Sequence, residues 1–301
     1  MRLAITGGTG FVGSHLIDQA VVAGHRVRAL TRRAQPSRPD VTWIDGALDK
    51  PASLARLMEG CDAVVHVAGV INGDMEAFRA GNLLGTEATV AAAADAGVRR
   101  FIHISSLAAR EPQLSTYGWS KNVSEEPVIA AGGDWTIIRP PAIYGPRDRE
   151  MLELFRLARR GVIPLPRGVR LSLIAVDDLC RLILACLAND ISFGRTYEPD
   201  DGRPQGWSTM EMARAIGDAV GRRVLLPLPI PKALLMLGAR ADRLVRRSRA
   251  KLTPDRVAYF CHADWTAAPH ARPPAMLWRA ETPTPAGLAA TARWYAQAGW
   301  L

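Results

Sequence analysis

Cysteine is scarce in this chain of 301 residues. Cys61, Cys180, Cys186 and Cys261 form no Cys-x-x-Cys and join no His/Cys cluster at metal-ligand spacing. A structural metal site and a disulfide framework are therefore not expected, and the four read as reduced residues in a reducing compartment. No run approaches the roughly 18 to 20 apolar residues that a membrane span requires. The first strand is expected to begin at Arg2, which leaves no room for a cleavable targeting segment. A cytoplasmic location is the expectation. Internal repeats and low-complexity tracts are lacking. The formal charge is +9, gathered in patches such as Arg32-Arg33, Arg99-Arg100, Arg159-Arg160 and Arg222-Arg223. No DNA- or RNA-binding motif accompanies that charge, so it reads as solvated helix faces and nucleic acid is not an expected partner. The stretch from Arg240 to Lys251 is the exception. It follows the apolar residues Ala233 to Leu237, and a surface-seeking amphipathic element would bring such a pattern to a membrane or a partner.

Apolar residues make up 48% of the chain and charged residues 22%, a balance that supports a large globular core. The first half alternates between short apolar runs and helical patterns. Strands are expected at Leu3 to Ile5, Val27 to Leu30, Val41 to Ile44, Ala63 to Val67, Phe101 to Ile104 and Trp135 to Ile138. Helices are expected at Phe11 to Ala23, Ala52 to Met58, Met75 to Ala96 and Thr116 to Ala130, with another at Asp177 to Leu187. Strands buried on both faces and separated by helices define a doubly wound parallel α/β sheet of the Rossmann type. After Arg139-Pro140-Pro141 the pattern loosens. The division expected is a nucleotide-binding domain over 1–140, to which 174–190 returns, and a smaller mixed α/β lobe over 141–301. From about Arg195 the chain reads as part of that lobe, and Pro285 to Gln297 reads as its last helix.

Gly7, Gly10 and Gly13 follow the first strand directly and open the first helix. A turn without Cβ atoms lets the backbone approach a pyrophosphate, and the helix N-terminus adds free N–H groups and a partial positive charge. Tyr117 and Lys121 stand four residues apart, on one face of a helix. There the ammonium can stabilise a phenolate, which draws the phenol from its ordinary pKa of about 10 toward working pH, as a general acid/base requires.

These residues resemble the extended and atypical short-chain dehydrogenase/reductases, the NAD-dependent epimerase/dehydratase family. The likeness runs from Thr6-Gly7-Gly8-Thr9-Gly10-Phe11-Val12-Gly13 through Asp62 to Gly69, Asn82 to Thr86 and Ile104-Ser105-Ser106. It continues through the Tyr-Lys pair, Arg139 to Pro146, Val176-Asp177-Asp178 and Trp294-Tyr295. It implies a nicotinamide dinucleotide on Gly7, Thr9, Gly10, Phe11, Val12 and Gly13, with Leu48, Ala68 and Gly69 lining the trough. It places Pro140 and Ile143 where the family covers the nicotinamide. Ser106, Tyr117 and Lys121 match the catalytic trio, Lys121 also holding the nicotinamide ribose; Ser105 competes with Ser106. Asn82 would tie a helix to a neighbouring strand. Family members are often dimers, so a homodimer is compatible with the resemblance.

Two departures narrow the expectation. Family members selective for NAD end the second strand on an acid, whereas this chain has Thr31-Arg32-Arg33. Two guanidiniums suit a 2′-phosphate, which favours NADP over NAD. The family's Gly-Asp-Leu reads Gly46-Ala47-Leu48 here, so the adenine contact falls to Asp45 or Asp49 or is missing. The gap from Ser106 to Tyr117 is also shorter than in sugar-nucleotide enzymes. The leading reading is an NAD(P)-dependent oxidoreductase that passes a hydride between nicotinamide and a carbonyl or alcohol carbon of a small-molecule substrate. A sugar epimerase or dehydratase is the second. The third is a non-catalytic NADPH-binding subunit like the accessory subunit of respiratory complex I. Substrate choice is expected around Tyr144, Arg147, Leu171 to Leu173 and Trp207.

Overall fold

The computed structural model describes residues 1–222, 226–246 and 253–301, so residues 247–252 of the basic stretch lie outside the described residues. In chain order the first part contains β1 (Arg2–Thr6), α1 (Phe11–Val22), β2 (Arg26–Thr31), β3 (Val41–Asp45), α2 (Pro51–Met58) and β4 (Ala63–His66). It goes on through α3 (Met75–Phe78), α4 (Gly85–Asp95), β5 (Arg100–Ile104), α5 (Thr116–Val123), α6 (Glu126–Ala130) and β6 (Asp134–Ile138). Then come β7 (Ala142–Tyr144), α7 (Leu152–Arg159), β8 (Val162–Pro166), β9 (Arg170–Leu171), β10 (Leu173–Ala175), α8 (Val176–Leu187) and β11 (Arg195–Tyr197). The last elements are β12 (Trp207–Ser208), α9 (Thr209–Ala219), β13 (Leu226–Ile230), α10 (Lys232–Arg246), α11 (Pro254–Phe260), β14 (Asp264–Trp265) and α12 (Thr284–Gln297).

Two compact units emerge. The first comprises Met1–Pro140, Val176–Pro199 and His270–Arg279, and the second comprises Pro141–Ala175, Asp200–Pro269 and Ala280–Leu301. In the first, β11-β6-β5-β4-β1-β2-β3 form a parallel sheet in that order. Its strands are apolar almost throughout because helices cover both faces: Leu3, Ala4, Ile5, Val64, Val65 and Ile102 are fully buried. The order reverses direction beside β1, the point at which such sheets bind nucleotides at their carboxyl ends.

Three elements differ from the sequence expectation. The helix expected over Met75 to Ala96 is interrupted by a π-helical turn, Arg79–Leu84. Asn82 sits in that turn with its amide bonded to the backbone of Val70 and to Ser120 Oγ, so a side-chain demand competes with regular winding. The helix expected over Thr116 to Ala130 breaks into α5 and α6. Pro127 has no N–H for the ladder and its ring crowds the carbonyl four residues back, so the second helix starts with Pro127 in its first turn. Residues from Arg195 were expected in the lobe. Instead β11 pairs with β6 and completes the main sheet, because Thr196 and Tyr197 continue its register against Ile137 and Ile138.

In the second unit β7 pairs with β10, β9 lies between β12 and β14, and β8 pairs with β13. Tyr144, Phe155, Ile163, Ile216, Leu288 and Tyr295 centre its core. Tyr295 packs edge-on against Phe155 with centroids 5.2 Å apart, and its hydroxyl donates to Asp148 O at 2.8 Å.

Candidate active site

The glycine turn leaves β1 at Thr6. Gly7 has φ +71°, which L side chains rarely adopt, and a Cβ there would sit 2.6 Å from Ala68 N. A Cβ on Gly13 would meet Gly7 O at 2.1 Å. The strand and helix therefore approach closely only because both positions lack a side chain. Gly7 O accepts from Gly10 N at 2.9 Å, and α1 starts with Gly10 as its N-cap, with no side chain bonded to its first N–H groups. Thr9 and Gly10 are exposed, while Phe11 and Val12 are half-buried. This donor set and helix end fit a pyrophosphate.

A directed chain of hydrogen bonds stiffens the floor of this turn. Ala68 N donates to Thr6 Oγ1 at 3.2 Å. Thr6 Oγ1 lies 2.8 Å from His66 Nδ1, and His66 Nε2 lies 3.1 Å from Thr86 Oγ1, which itself donates to Asn82 O at 2.6 Å. Thr86 has one proton and gives it to Asn82, so His66 must donate through Nε2 and accept at Nδ1. Burial, reinforced by the Lys121 charge, lowers the His66 pKa to about 3 and keeps the ring neutral. The sequence showed His66 only as a strand residue; nothing in its spacing signalled this bridge.

Further along the same sheet edge, Lys121 is buried and its Nζ donates to Ile104 O at 2.8 Å, two residues ahead of Ser106. Burial lowers its pKa to about 8, against the opposing pull of Glu125. The helix α5 lies tight on the turn Leu107–Arg110: a Cβ on Gly118 would be 2.8 Å from Ala108 O, and Asn122 Nδ2 donates to Ala109 O at 3.1 Å. Ser106 caps that turn, its Oγ accepting from Ala108 N at 3.2 Å. Ser105 faces elsewhere. Its hydroxyl donates to Glu125 Oε1, which also receives Arg139 Nε at 2.9 Å, while Arg139 Nη2 reaches Glu125 Oε2 at 2.6 Å. The Glu125 bonds raise the Arg139 pKa. Tyr117 is half-buried, with Phe78 of α3 tilted against it at 6.0 Å.

The other expected positions fall as follows. Arg32 and Arg33 are exposed just beyond β2, where Thr31 Oγ1 donates to Arg33 O at 2.7 Å and fixes the bend. Asp45 and Asp49 are exposed, and Leu48 packs against α4, close enough that a Cβ on Gly85 would touch it at 2.7 Å. Gly69 is exposed, and Asn82 Oδ1 would lie 3.2 Å from a Cβ there. Asn82 thus links the segment after β4 to α5. Pro140 is buried and its carbonyl accepts from Leu107 N at 3.0 Å, while Ile143 belongs to β7 of the second unit. Of the positions expected to choose substrate, Tyr144, Leu173 and Trp207 are core residues of that unit, and Trp207 Nε1 donates to Asp201 at 2.7 Å. All three are buried in that core.

A parallel sheet with a phosphate-binding turn at its switch point defines an NAD(P)-binding enzyme of the Rossmann type. Residues 7–190 match the family model described as NAD(P)H-binding. A ceramide reductase of Caulobacter vibrioides is 38% identical over 99% of this chain and 96% of its own length. A UDP-glucose 4-epimerase of Vibrio cholerae is 29% identical, with 76% of this chain and 79% of that one covered. The UDP-glucuronic acid 4-epimerase of Bacillus cereus, solved with NAD, superposes with a TM-score of 0.75 at 17% identity over 99% of both chains, which speaks to the fold. The chain belongs to the extended short-chain dehydrogenase/reductases, the NAD(P)-dependent epimerase/dehydratase relatives. Among the described residues no helix is long and apolar enough to cross a membrane.

Proposed function

We propose that this enzyme is an NADPH-dependent carbonyl reductase whose substrate is a carbonyl group on a lipid of the ceramide class. The observation that carries the chemistry is Lys121: a buried ammonium held on Ile104 O, one helical turn from Tyr117 and close in sequence to Ser106. The lipid class comes from the ceramide reductase relative, which matches nearly end to end.

Bound NADPH supplies the hydride that reaches the carbonyl carbon. Tyr117 gives its phenolic proton to the carbonyl oxygen as negative charge develops there. Lys121 lowers the cost of the phenolate that this leaves, and its burial limits the water that competes for that charge. Ser106 donates a hydrogen bond to the same oxygen. The engagement of Ser105 with Glu125 supports this choice between the two serines. The Glu125–Arg139 pair lies just past α5, and the Glu125 charge favours the protonated form of Lys121. Arg32 and Arg33 take the 2′-phosphate, which favours NADP.

The test is NADPH oxidation by the purified enzyme with carbonyl-bearing ceramide analogues dispersed in detergent, beside NADH and beside Tyr117→Phe. Turnover that needs Tyr117 and prefers NADPH supports the proposal. Turnover unaffected by Tyr117→Phe removes the acid/base assignment. NAD that co-purifies without exchanging, together with activity on a UDP-sugar, replaces the reading by an epimerase.

A further inference from the structure

One helix of the second unit is built the wrong way round for a water-facing surface. In α10, Leu234 is 60% exposed and Leu237 is 63% exposed, while Ala239 is fully buried. At 100° per residue, Ala239 lies about 140–200° round the helix from the two leucines, so both leucines lie on the side away from the buried face. Ala233 and Gly238 beside them are exposed as well, and α11, which packs against α10, leaves Phe260 45% exposed. Single exposed leucines are ordinary, but a row of them on one helix marks a surface that meets something apolar. The charge around the row says what. Residues 232–251 contain seven Lys or Arg against the single Asp242, a net +6. Lys232 and Arg240 are exposed on α10 itself.

We propose that α10 is an interfacial helix that docks the enzyme on an anionic phospholipid surface. Leu234 and Leu237 enter the boundary between headgroups and acyl chains, and Lys232 and Arg240 meet the lipid phosphates. A second copy of the chain would bring another +6 stretch against this one and be repelled, whereas an anionic bilayer attracts both features at once. The inference is independent of the reaction proposed above, since it rests on exposure and charge in the second unit.

The experiment is flotation of the whole protein with vesicles of phosphatidylcholine alone and with phosphatidylglycerol added. The expected result is binding to the anionic vesicles only, weakened at high salt. Leu234→Glu with Leu237→Glu should reduce that binding roughly tenfold or more, as should Lys232→Glu with Arg240→Glu. Melting temperature and the NADPH-induced thermal shift should stay unchanged in both, which separates lost docking from lost folding. Absence of binding to anionic vesicles, equal binding by the leucine variant, or self-association of the wild type that the leucine variant abolishes would each overturn the proposal. Vesicle binding is read without substrate, so its failure leaves the reductase reading to its own test.

Discussion

The two units are held together by different means. The first stacks parallel strands and gathers two networks of buried polar residues near the carboxyl end of the sheet. Thr6, His66, Thr86 and Asn82 form one relay, and Ser105, Glu125 and Arg139 form another. The second closes on large side chains: Tyr144, Phe155 and Tyr295 are among its most buried, and Gly287 keeps α12 clear of Tyr144, since a Cβ there would come within 2.7 Å of the ring hydroxyl. The comparison teaches that a reactive edge needs polar groups fixed by partners in a dry place. A supporting unit needs volume filled without gaps.

The largest effect should come from the reactive edge. Tyr117→Phe removes the proton donor and should lower kcat by about 10²–10⁴, leaving the NADPH thermal shift intact. A loss of both would show that Tyr117 is also structural. In the second unit Tyr295→Ala should cost about 3–5 kcal/mol, read by denaturant unfolding, since a fully buried ring is deleted. Glu125→Ala tests whether the polar relays matter as much. Arg139 would lose its bidentate partner at 21% side-chain exposure, and a cost approaching about 3 kcal/mol is expected, together with a shifted pH profile because Lys121 loses the charge that opposes its desolvation. An unchanged profile would separate Glu125 from the site. A smaller effect, roughly tenfold in NADPH preference over NADH, is expected for Arg32→Ala with Arg33→Ala, measured as the ratio of kcat/KM values.

Stability and activity should also respond to pH, in opposite directions. Lys121 holds its proton less tightly folded, near 8, than unfolded, near the ordinary lysine value of 10.5. The unfolded chain therefore binds more protons between those values, and the folded state gains stability as pH rises from about 8 toward 10.5. Activity moves the other way: Lys121 loses its charge through about pH 8, so turnover should fall on an alkaline limb there. Lys121→Met should abolish the stability gain, seen by comparing melting temperatures at neutral and alkaline pH.

Much of the first unit was legible because its signals are local. The glycines at 7, 10 and 13 sit where a strand hands over to a helix, and apolar runs mark strands covered on both sides. Two helices escaped full prediction for equally physical reasons. The π turn at Arg79–Leu84 depends on Asn82 meeting Val70 and Ser120, and the Ala-rich pattern hides that demand. The break between α5 and α6 comes with Pro127, which opens the second helix. Arg195–Tyr197 looked like lobe because a three-residue strand carries almost no pattern of its own until β6 pairs with it. In the second unit Tyr144 and Trp207, expected near the substrate, are members of the apolar core, a placement no local pattern signals.

By itself the sequence determined the doubly wound sheet, the phosphate-binding turn, the family order of its segments and the spacing of Tyr117 and Lys121. Such features are carried by local residue patterns, so they can be read along the chain. Only the tertiary structure decided that Ser105 is bound to Glu125, that His66 bridges two threonines as a neutral ring, and that Lys121 is dry enough for its pKa to fall to about 8. It also turned Leu234 and Leu237 of α10 outward. Desolvation and hydrogen-bond partnership belong to groups that fold together from distant positions, and no local pattern carries them.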